Sequence, residues 1–381
     1  MRVVLNVDAI VPPLTGIGRY ALELARGLQA SNALEDLRFF SAYRFLSRPD
    51  AALQANTSLA WARRRVPAKS LAMRGYFWLR QRAFDLQARR SCRGYVLHSP
   101  NYLLMRHAGP SVATVHDFSW LHFPEHHPRE RIELMHREMP RTVERATCLI
   151  TDSEFVKREA VQLLGVPESR VHAVPLGVDP GFHPRSPEAL QAALARHALS
   201  PGGYLLCVAT LEPRKNLTRL LRAFSLLPAD LRQRHPLVLV GVRGWHTQAL
   251  EAAVGPLERR GEVRRLGYVD EADLPLLYAG AHAFAFPSLH EGFGLPPLEA
   301  MASGVPVLAS NASCLPEVLG DAALLVDPLD EDAITAGLAQ LIEDAAWREQ
   351  ARTRGLEQAA RYSWARCVAE TLDVYRKAMH A

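Results

Sequence analysis

Two glutamates eight residues apart enclose the segment of this chain that is best suited to chemistry. Glu291 and Glu299 flank a Gly-Phe-Gly turn that leads into a predicted helix. Carboxylates accept hydrogen bonds from sugar hydroxyls, and the place of Glu299 in the first helical turns suits the two hydroxyls of a ribose. The peptide N–H groups of Phe293, Gly294 and Leu295 are predicted to face a ligand cleft. Loop glycines between two surface glutamates are the alternative interpretation.

A basic pair, Arg214 and Lys215, lies between a predicted strand and a predicted helix in the run 210–216. An arginine binds a diphosphate through two parallel hydrogen bonds, whereas a lysine acts as a point charge. An isolated pair of this kind is more often an exposed basic turn. Two carboxylates repel a diphosphate in the same site unless cations neutralise them, so the two motifs are predicted to form one site.

Two glycines near the amino terminus, Gly16 and Gly18, lie between a predicted strand and a predicted helix. Glycines allow backbone N–H groups to approach a phosphate at the start of a helix. The spacing Gly16-x-Gly18-x-x-Ala also matches a dinucleotide fingerprint, although that fingerprint places its first glycine directly after the strand. An anion-binding loop, plain turn glycines and an NAD site are the three interpretations.

A polar pair, His116 and Asp117, ends the predicted strand Ser111–Val115. The carboxyl end of a parallel strand delivers side chains into a ligand cleft. His116 is therefore a candidate to contact a sugar hydroxyl or anomeric centre, with Asp117 orienting the ring or the backbone. A histidine with only a structural hydrogen bond is the alternative.

The elements that must position these motifs alternate between short apolar strands and helical patterns, which predicts α/β layers with parallel sheets. Residues 175–184 are dense in proline and glycine and predict a linker. A chain of 381 residues favours two domains over one. The sequence thus predicts two doubly wound domains, with a ligand bound where carboxyl ends of strands face each other.

The motifs resemble those of the retaining nucleotide-sugar glycosyltransferases of family 4, which have the GT-B fold. The resemblance rests on Glu291 to Glu299, on Met301 to Val307 and on Leu315 to Val318, and extends over nearly the whole chain. It is similar above all to bacterial mannosyl- and rhamnosyltransferases of O-antigen and related lipopolysaccharide assembly. It implies two Rossmann-like domains facing a cleft.

That resemblance also implies a division of the chain into parts with different tasks. Residues 1–185 would form the acceptor-side domain and residues 186–360 the donor-binding domain. Residues 361–381 would form a C-terminal helix that crosses back to the first domain.

The resemblance assigns roles to single residues. Lys215 would hold the donor diphosphate, Glu291 the donor sugar and Glu299 the ribose, while Gly16 would lie near the diphosphate and His116 would contact the sugar. Many members of the family carry an arginine where this chain has Thr210 and Leu211. Arg214 is expected to serve in its place and completes the expected catalytic group. The remaining residues expected to bind the donor are Gly18, Asp117, Thr210, Phe293, Gly294 and Leu295.

The expected reaction moves mannose or D-rhamnose from a GDP-sugar to a lipid-linked or oligosaccharide acceptor in cell-surface polysaccharide assembly. A UDP-sugar donor is the alternative within the same fold. Attack by the acceptor hydroxyl on the front face, with its proton passing to the leaving phosphate, is expected to give retention. No metal and no other cofactor is expected, and the one Asp-x-Asp, Asp330 to Asp332, is better explained as a helix N-cap.

The net charge of +5 is unevenly distributed. Residues 1–185 hold 26 Lys/Arg against 17 Asp/Glu, and the stretch 61–93 alone holds ten against one. Cations interleaved with aromatic residues suit an anionic membrane surface, so a polyprenyl-diphosphate-linked acceptor is expected at the cytoplasmic face of the inner membrane. A solvated basic helix face is the alternative. Nucleic-acid binding would use the same stretch but leaves the two glutamates unexplained, and no nucleic-acid partner is expected.

The five cysteines are widely spaced and form no metal or redox motif, so reduced, buried thiols in a cytoplasmic protein are expected. Neither a secretory signal nor a membrane-spanning helix is predicted, because polar residues and prolines interrupt every apolar run.

Overall fold

The computed structural model describes residues 1–56, 69–88 and 91–381. These residues form two compact units. The first contains residues 1–120, 128–177 and 364–381, and the second contains residues 121–127 and 178–363. Each unit is built on one sheet with helices packed against it, which confirms the predicted class of two doubly wound α/β domains.

The sheet of the first unit has seven strands in the order β3-β2-β1-β4-β5-β6-β7. All neighbours are parallel except β2 and β3, which form an antiparallel hairpin. Helices cover parallel strands on both faces, so the central strands are continuous apolar runs. The strands are β1 (Arg2–Asn6), β2 (Asp36–Ser41), β3 (Arg44–Leu46), β4 (Val96–Ser99), β5 (Ser111–Val115), β6 (Cys148–Thr151) and β7 (Val171–Ala173).

The helix Glu154–Leu164 of the first unit has a capping residue at each end. Ser153 caps its start, since the Ser153 hydroxyl accepts a hydrogen bond from the N–H of Val156, and Gly165 ends the helix in the left-handed conformation. The helices of this unit are Gly16–Ala30, Lys69–Ala88, Arg129–Arg145, Glu154–Leu164 and Trp364–His380, with a 3-10 turn at Glu168–Arg170 and a helical stretch at 51–56.

The last helix, Trp364–His380, packs in the first unit against the helix Gly16–Ala30 and the central strands, as predicted for a helix that crosses back. A buried hydrogen-bond network fixes it. The Tyr375 hydroxyl lies 2.7 Å from Nδ1 of His98, and Nε2 of His98 lies 2.9 Å from the hydroxyl of Thr114. Burial lowers the pKa of His98 to about 3, so the ring is neutral in this network.

The sheet of the second unit has six parallel strands in the order β10-β9-β8-β11-β12-β13. They are β8 (Leu205–Val208), β9 (Leu237–Val240), β10 (Val263–Gly267), β11 (Ala283–Phe286), β12 (Val307–Ser310) and β13 (Ala323–Val326). The reversal of strand order falls between β8 and β11. In such a sheet, ligands bind outside the carboxyl ends of the strands at this point.

The helices of the second unit surround that sheet. Asp330 caps the helix Glu331–Glu343 by accepting a hydrogen bond from the N–H of Ala333 at 2.9 Å, which confirms the predicted N-cap. The helices are Pro187–Arg196, Leu217–Leu226, Ala229–Arg234, Gln248–Arg259, Leu274–Ala279, Leu295–Ala302, Leu315–Leu319, Glu331–Glu343 and Ala345–Ala359; 3-10 turns lie at Pro124–His126, Pro213–Lys215 and Gly320–Ala322, and the short helix Ser119–His122 begins in the first unit and ends in the second.

All five cysteines are buried with free thiols, as predicted. Within the described ranges, no helix combines the length and the apolar character needed to cross a bilayer.

Candidate functional site

Three neighbouring strands of the second unit deliver the predicted site residues to one edge of the sheet. Strand β8 ends shortly before Arg214 and Lys215, and β11 ends shortly before Glu291. Strand β12, which pairs with β11, ends shortly before Ser313. Because the carboxyl ends of parallel strands lie at the same edge, motifs about 75 residues apart in sequence meet there.

Glu291 is the centre of this cluster. One carboxylate oxygen lies 2.6 Å from Nζ of Lys215, and the other lies 3.2 Å from Nη1 of Arg214. The hydroxyl of Ser288 donates to the Lys215-bound oxygen at 2.6 Å. Burial alone would raise the pKa of Glu291, but the two cations and the hydrogen bonds outweigh burial and lower it to about 2. The carboxylate is therefore ionised throughout the physiological range.

Arg214 is held on more sides than Lys215. Its guanidinium also pairs with Glu212 at 2.8 Å and donates to the carbonyl of His290. Only 9% of Arg214 is exposed, so its head group is fixed between the two carboxylates. Arg214 therefore holds the loop that carries Glu291 in place. Among the described residues, Lys215 forms an ion pair with Glu291 only.

The two motifs are also joined through their backbones. The N–H of Leu289 donates to the carbonyl of Arg214 at 2.9 Å. Asn216, in the left-handed conformation with φ of 59°, donates to the carbonyl of Pro287 at 3.0 Å and so ties the start of one loop to the other. The N–H of Glu291 donates to the Ser313 hydroxyl at 3.0 Å. The charged cluster therefore has a rigid frame.

Acid should weaken this cluster. Because the pKa of Glu291 is about 2 in the fold against an ordinary 4.5, its ionised form stabilises the protein above about pH 4.5, and that contribution is lost as pH falls toward 2. The difference in unfolding free energy between the wild type and Glu291→Gln should therefore shrink over this range. Urea unfolding of both proteins at a series of pH values measures it. A difference that stays constant with pH would contradict the assigned shift.

The glycine turn precedes the helix Leu295–Ala302. Gly294 caps this helix with φ of 100°, and the N–H groups of Phe293, Gly294 and Leu295 donate no hydrogen bond to another residue in the described part of the chain. Three unused N–H groups at a helix N-terminus form a place for an anion. Glu299 lies one turn further along the helix and is only 8% exposed.

The two amino-terminal glycines differ in their surroundings. Gly16 is exposed at the first position of its helix, and a Cβ there would meet nothing within 4 Å. A Cβ on Gly18 would lie 3.0 Å from the Ala9 carbonyl oxygen and 3.1 Å from the Leu14 side chain. Gly16 is thus open to a ligand, while Gly18 is needed for packing between the loop and the helix. Of the other expected donor residues, Thr210 follows β8 and is half-buried.

His116 is buried in the first unit, and each of its ring nitrogens has a hydrogen-bond partner. Its Nδ1 lies 2.7 Å from a carboxylate oxygen of Asp152, and its Nε2 lies 3.0 Å from the Pro100 carbonyl, to which it must donate because a carbonyl only accepts. Asp117 accepts from the Tyr102 hydroxyl at 3.1 Å and from the N–H of Ser119 at 3.1 Å, so it orders the backbone. The sequence did not single out Asp152, although its place directly after β6, beside β5, follows from strand order.

Asp152 should control the protonation of His116. Burial alone would lower the pKa of His116, but the charge and hydrogen bond of Asp152 outweigh burial and raise it. We therefore expect Asp152→Asn to drop the pKa of His116 below the ordinary histidine value. Nitrogen-detected NMR titration, with His116→Gln to assign the signal, measures this. An unchanged pKa in the Asp152→Asn variant would show that the carboxylate does not set the charge of the ring.

Comparison with known protein families gives two matches that together span most of the chain. Residues 14–182 match the family described as Glycosyltransferase Family 4. Residues 196–358 match the family described as Glycosyl transferases group 1. Each match lies largely within one of the two structural units.

Among curated proteins, the chain is 39% identical over 380 residues to O-antigen chain mannosyltransferase B of Escherichia coli, which covers 99% of this chain and 100% of that relative. Among solved structures, it is similar to a sucrose-phosphate synthase from Thermosynechococcus elongatus, with a TM-score of 0.74, 20% identity and coverage of 99% and 98% of the two chains. It is also similar to WaaG, a glycosyltransferase involved in lipopolysaccharide biosynthesis, with a TM-score of 0.70, 16% identity and coverage of 98% and 99%. At these identities the structural likeness shows the fold alone.

Proposed function

The chain belongs to the family 4 glycosyltransferases, and on that basis we propose that it transfers mannose or D-rhamnose from a GDP-sugar, with retention, to a lipid-linked or oligosaccharide acceptor in O-antigen assembly. The observation that carries the proposal is the cluster of Lys215, Arg214 and Glu291 at the carboxyl edge of the second sheet. Near-complete coverage of a mannosyltransferase of O-antigen chains supports the choice of sugar and product.

The donor would lie along the cluster and the adjoining helix. Lys215 would hold the diphosphate together with the free N–H groups of the glycine turn, because both supply positive charge to an anion. Glu291 would accept hydrogen bonds from the sugar, and Glu299 would accept two from the ribose. Residues 242–245 follow strand β9, and residues 267–269 begin at the last residue of the adjacent strand β10. Both segments lie at the same edge of the sheet, which suits them to bind the base.

In the proposed mechanism, the bond from the sugar C1 to the diphosphate breaks while the acceptor oxygen forms its bond to C1 on the same face. The proton of the acceptor hydroxyl passes to the leaving phosphate oxygen. Lys215 and the helix N-terminus stabilise the charge that develops on the diphosphate. The residues present supply this stabilisation themselves, so the mechanism requires no metal ion, and transfer should persist in excess EDTA.

The acceptor is proposed to be a growing polysaccharide on a polyprenyl diphosphate at the cytoplasmic face of the inner membrane. The support is the O-antigen relative together with the excess of basic residues in the stretch 61–93. Residues 61–68, 89 and 90 of that stretch lie outside the described residues.

A thermal-shift panel of GDP, UDP, GDP-mannose, GDP-rhamnose, UDP-glucose and NAD tests the donor proposal. GDP and one GDP-sugar should raise the melting temperature, since ligands that bind only the folded state stabilise it. Stabilisation by the UDP ligands with no effect of the GDP ligands would show that the donor is a UDP-sugar and contradict the proposed GDP-sugar. A response to NAD alone would overturn the assignment of the site.

A further inference from the structure

A cavity lies entirely within the first unit, and its described lining residues include none of those assigned to the donor. It is lined by the helix Lys69–Ala88, the helix Arg129–Arg145 and residues 103–106, and has a volume of about 680 Å³. Its walls combine cationic and apolar side chains. Outside this lining, the described residues include no ion-pair partner for four of its arginines, which are Arg106, Arg137, Arg141 and Arg145.

The cavity has more positive charge than its carboxylates neutralise. Glu138 is the one acidic residue among its described lining residues. A single oxygen of Glu138 is shared by Arg137 at 2.8 Å and Arg141 at 2.9 Å. A fifth arginine of the wall, Arg80, is neutralised by Asp8 at 2.8 Å. The other four arginines therefore share one carboxylate among the described lining residues.

The crowding of these cations has a direct electrostatic effect. Arg145 donates to the carbonyl of Leu104 at 3.1 Å. Burial first, and then the like charges of Arg106 and Arg141, lower the pKa of Arg145 even though Glu138 and Glu144 act in the opposite direction. An anion in the cavity would relieve this repulsion, since an opposite charge within a few ångströms favours the charged form.

Apolar side chains continue from the cavity onto the protein surface. Trp78 lines the cavity and is 61% exposed, while Leu79 and Leu86 on the same helix are 50% and 82% exposed. The guanidinium of Arg82 lies 5.6 Å from the centre of the Trp78 ring. At 100° per residue, these four side chains fall within an arc of about 100° of the helix. The exposed face of the helix Lys69–Ala88 is thus an apolar ridge of Trp78, Leu79 and Leu86 with Arg82 beside it.

We propose that this cavity binds the anionic head group of a membrane lipid, with the ridge of Trp78, Leu79 and Leu86 resting among the neighbouring acyl chains. A phosphate matches the arginines, which bind it through paired hydrogen bonds, and a hydrocarbon chain matches the apolar ridge. A free phosphate would use the arginines but leave the ridge unexplained. The binding itself needs no sugar donor; only its purpose, to hold the enzyme beside a lipid-linked acceptor, rests on the proposed function.

The test is cosedimentation of the full chain with vesicles of phosphatidylglycerol and phosphatidylcholine, with pure phosphatidylcholine vesicles as reference. Arg106→Gln with Arg141→Gln removes two cavity charges. The fold should tolerate the change, because Gln81 contacts the backbone of Arg106 and Arg141 is exposed. The matched control is Arg129→Gln with Arg158→Gln, which removes two exposed charges of the same unit at residues that do not line the cavity.

The cavity variant should bind anionic vesicles about 30-fold more weakly than the wild type, and the control variant should bind nearly as well as the wild type. Trp78→Ser should also weaken binding without changing the net charge. Equal loss in the two double variants would show a general charge effect and overturn the proposal. A wild type that binds both vesicle types equally would also overturn it.

Two further arms separate the lipid from other anions. Inorganic pyrophosphate alone, titrated calorimetrically without vesicles, should bind the wild type far more weakly than anionic vesicles do. Tight pyrophosphate binding that depends on Arg106 and Arg141, with no binding to anionic vesicles, would identify a soluble anion as the ligand and overturn the proposal. Binding of single-stranded RNA with the same dependence on Arg106 and Arg141, in place of vesicle binding, would assign the cavity to nucleic acid. None of these vesicle assays contains a sugar-nucleotide donor. A negative thermal-shift panel would therefore contradict the proposed function and leave the result on lipid binding unchanged.

Discussion

Lys215→Ala should lower kcat by a factor of about 10² to 10³ while leaving the fold intact. Nζ of Lys215 lies 2.6 Å from Glu291, its one ion-pair partner among the described residues, whereas Arg214 is fixed between Glu212 and Glu291. Loss of one preorganised group that meets the developing charge costs about 2.7–4 kcal/mol of transition-state stabilisation. Steady-state transfer of labelled sugar from the donor measures the effect.

Lys157→Ala is the matched control for that substitution. Lys157 forms an ion pair with Glu168 at 3.2 Å in the first unit, so its loss removes the same charge from a residue that has no proposed part in the chemistry. The control should keep normal kcat, and urea unfolding of Lys215→Ala should remain cooperative. Near-normal turnover of a folded Lys215→Ala would show that this lysine does not bind the diphosphate.

Gly294→Ala should destabilise the donor-binding unit by about 2–6 kcal/mol and abolish most donor binding. Its φ of 100° lies in the region that favours glycine, which costs another residue about 1–3 kcal/mol. A Cβ would also lie 2.6 Å from a methyl group of Leu315, which is fully buried, and such overpacking costs a further amount of about 1–3 kcal/mol. The relief of this clash would move the turn whose N–H groups are proposed to bind the diphosphate.

Gly261→Ala separates the two contributions. Gly261 has a φ of 72°, but a Cβ there would meet nothing within 4 Å, so only the backbone cost applies. Urea unfolding should rank Gly294→Ala as clearly less stable than Gly261→Ala, and calorimetric titration with GDP should show weakened binding for Gly294→Ala only. Equal loss of stability in the two variants would contradict the packing assigned to Gly294.

The central elements could be predicted from the sequence because buried parallel strands are contiguous apolar runs. Ser111–Val115 has the predicted bounds. Strand β2 was not predicted, since Asp36 and Arg38 break its apolar pattern and pair with each other at 2.9 Å in the folded chain. The helix Gln248–Arg259 was not predicted either, because its Pro256 is typical of a helix end.

Some features of the candidate site could likewise be predicted from the sequence, and others could not. The sequence shows which residue types can bind a sugar nucleotide, but not that Glu291 pairs with both Lys215 and Arg214, because that contact depends on the order of strands in the sheet. The second partner of Arg214, Glu212, was present in the run 210–216 but carried no signal of its own. Contacts between distant segments follow from topology, which residue spacing does not contain.

The anomeric configuration of the product tests the central claim most directly. The enzyme is incubated with GDP-α-D-mannose or with GDP-α-D-rhamnose and a synthetic mannoside on a lipid diphosphate, and the new linkage is identified from its one-bond carbon–proton coupling by NMR. We expect a new α-glycosidic bond from one of these donors, formed by the wild type and nearly absent with Lys215→Ala. A β-linked product, or transfer from a UDP-sugar with none from GDP-mannose or GDP-rhamnose, would contradict it.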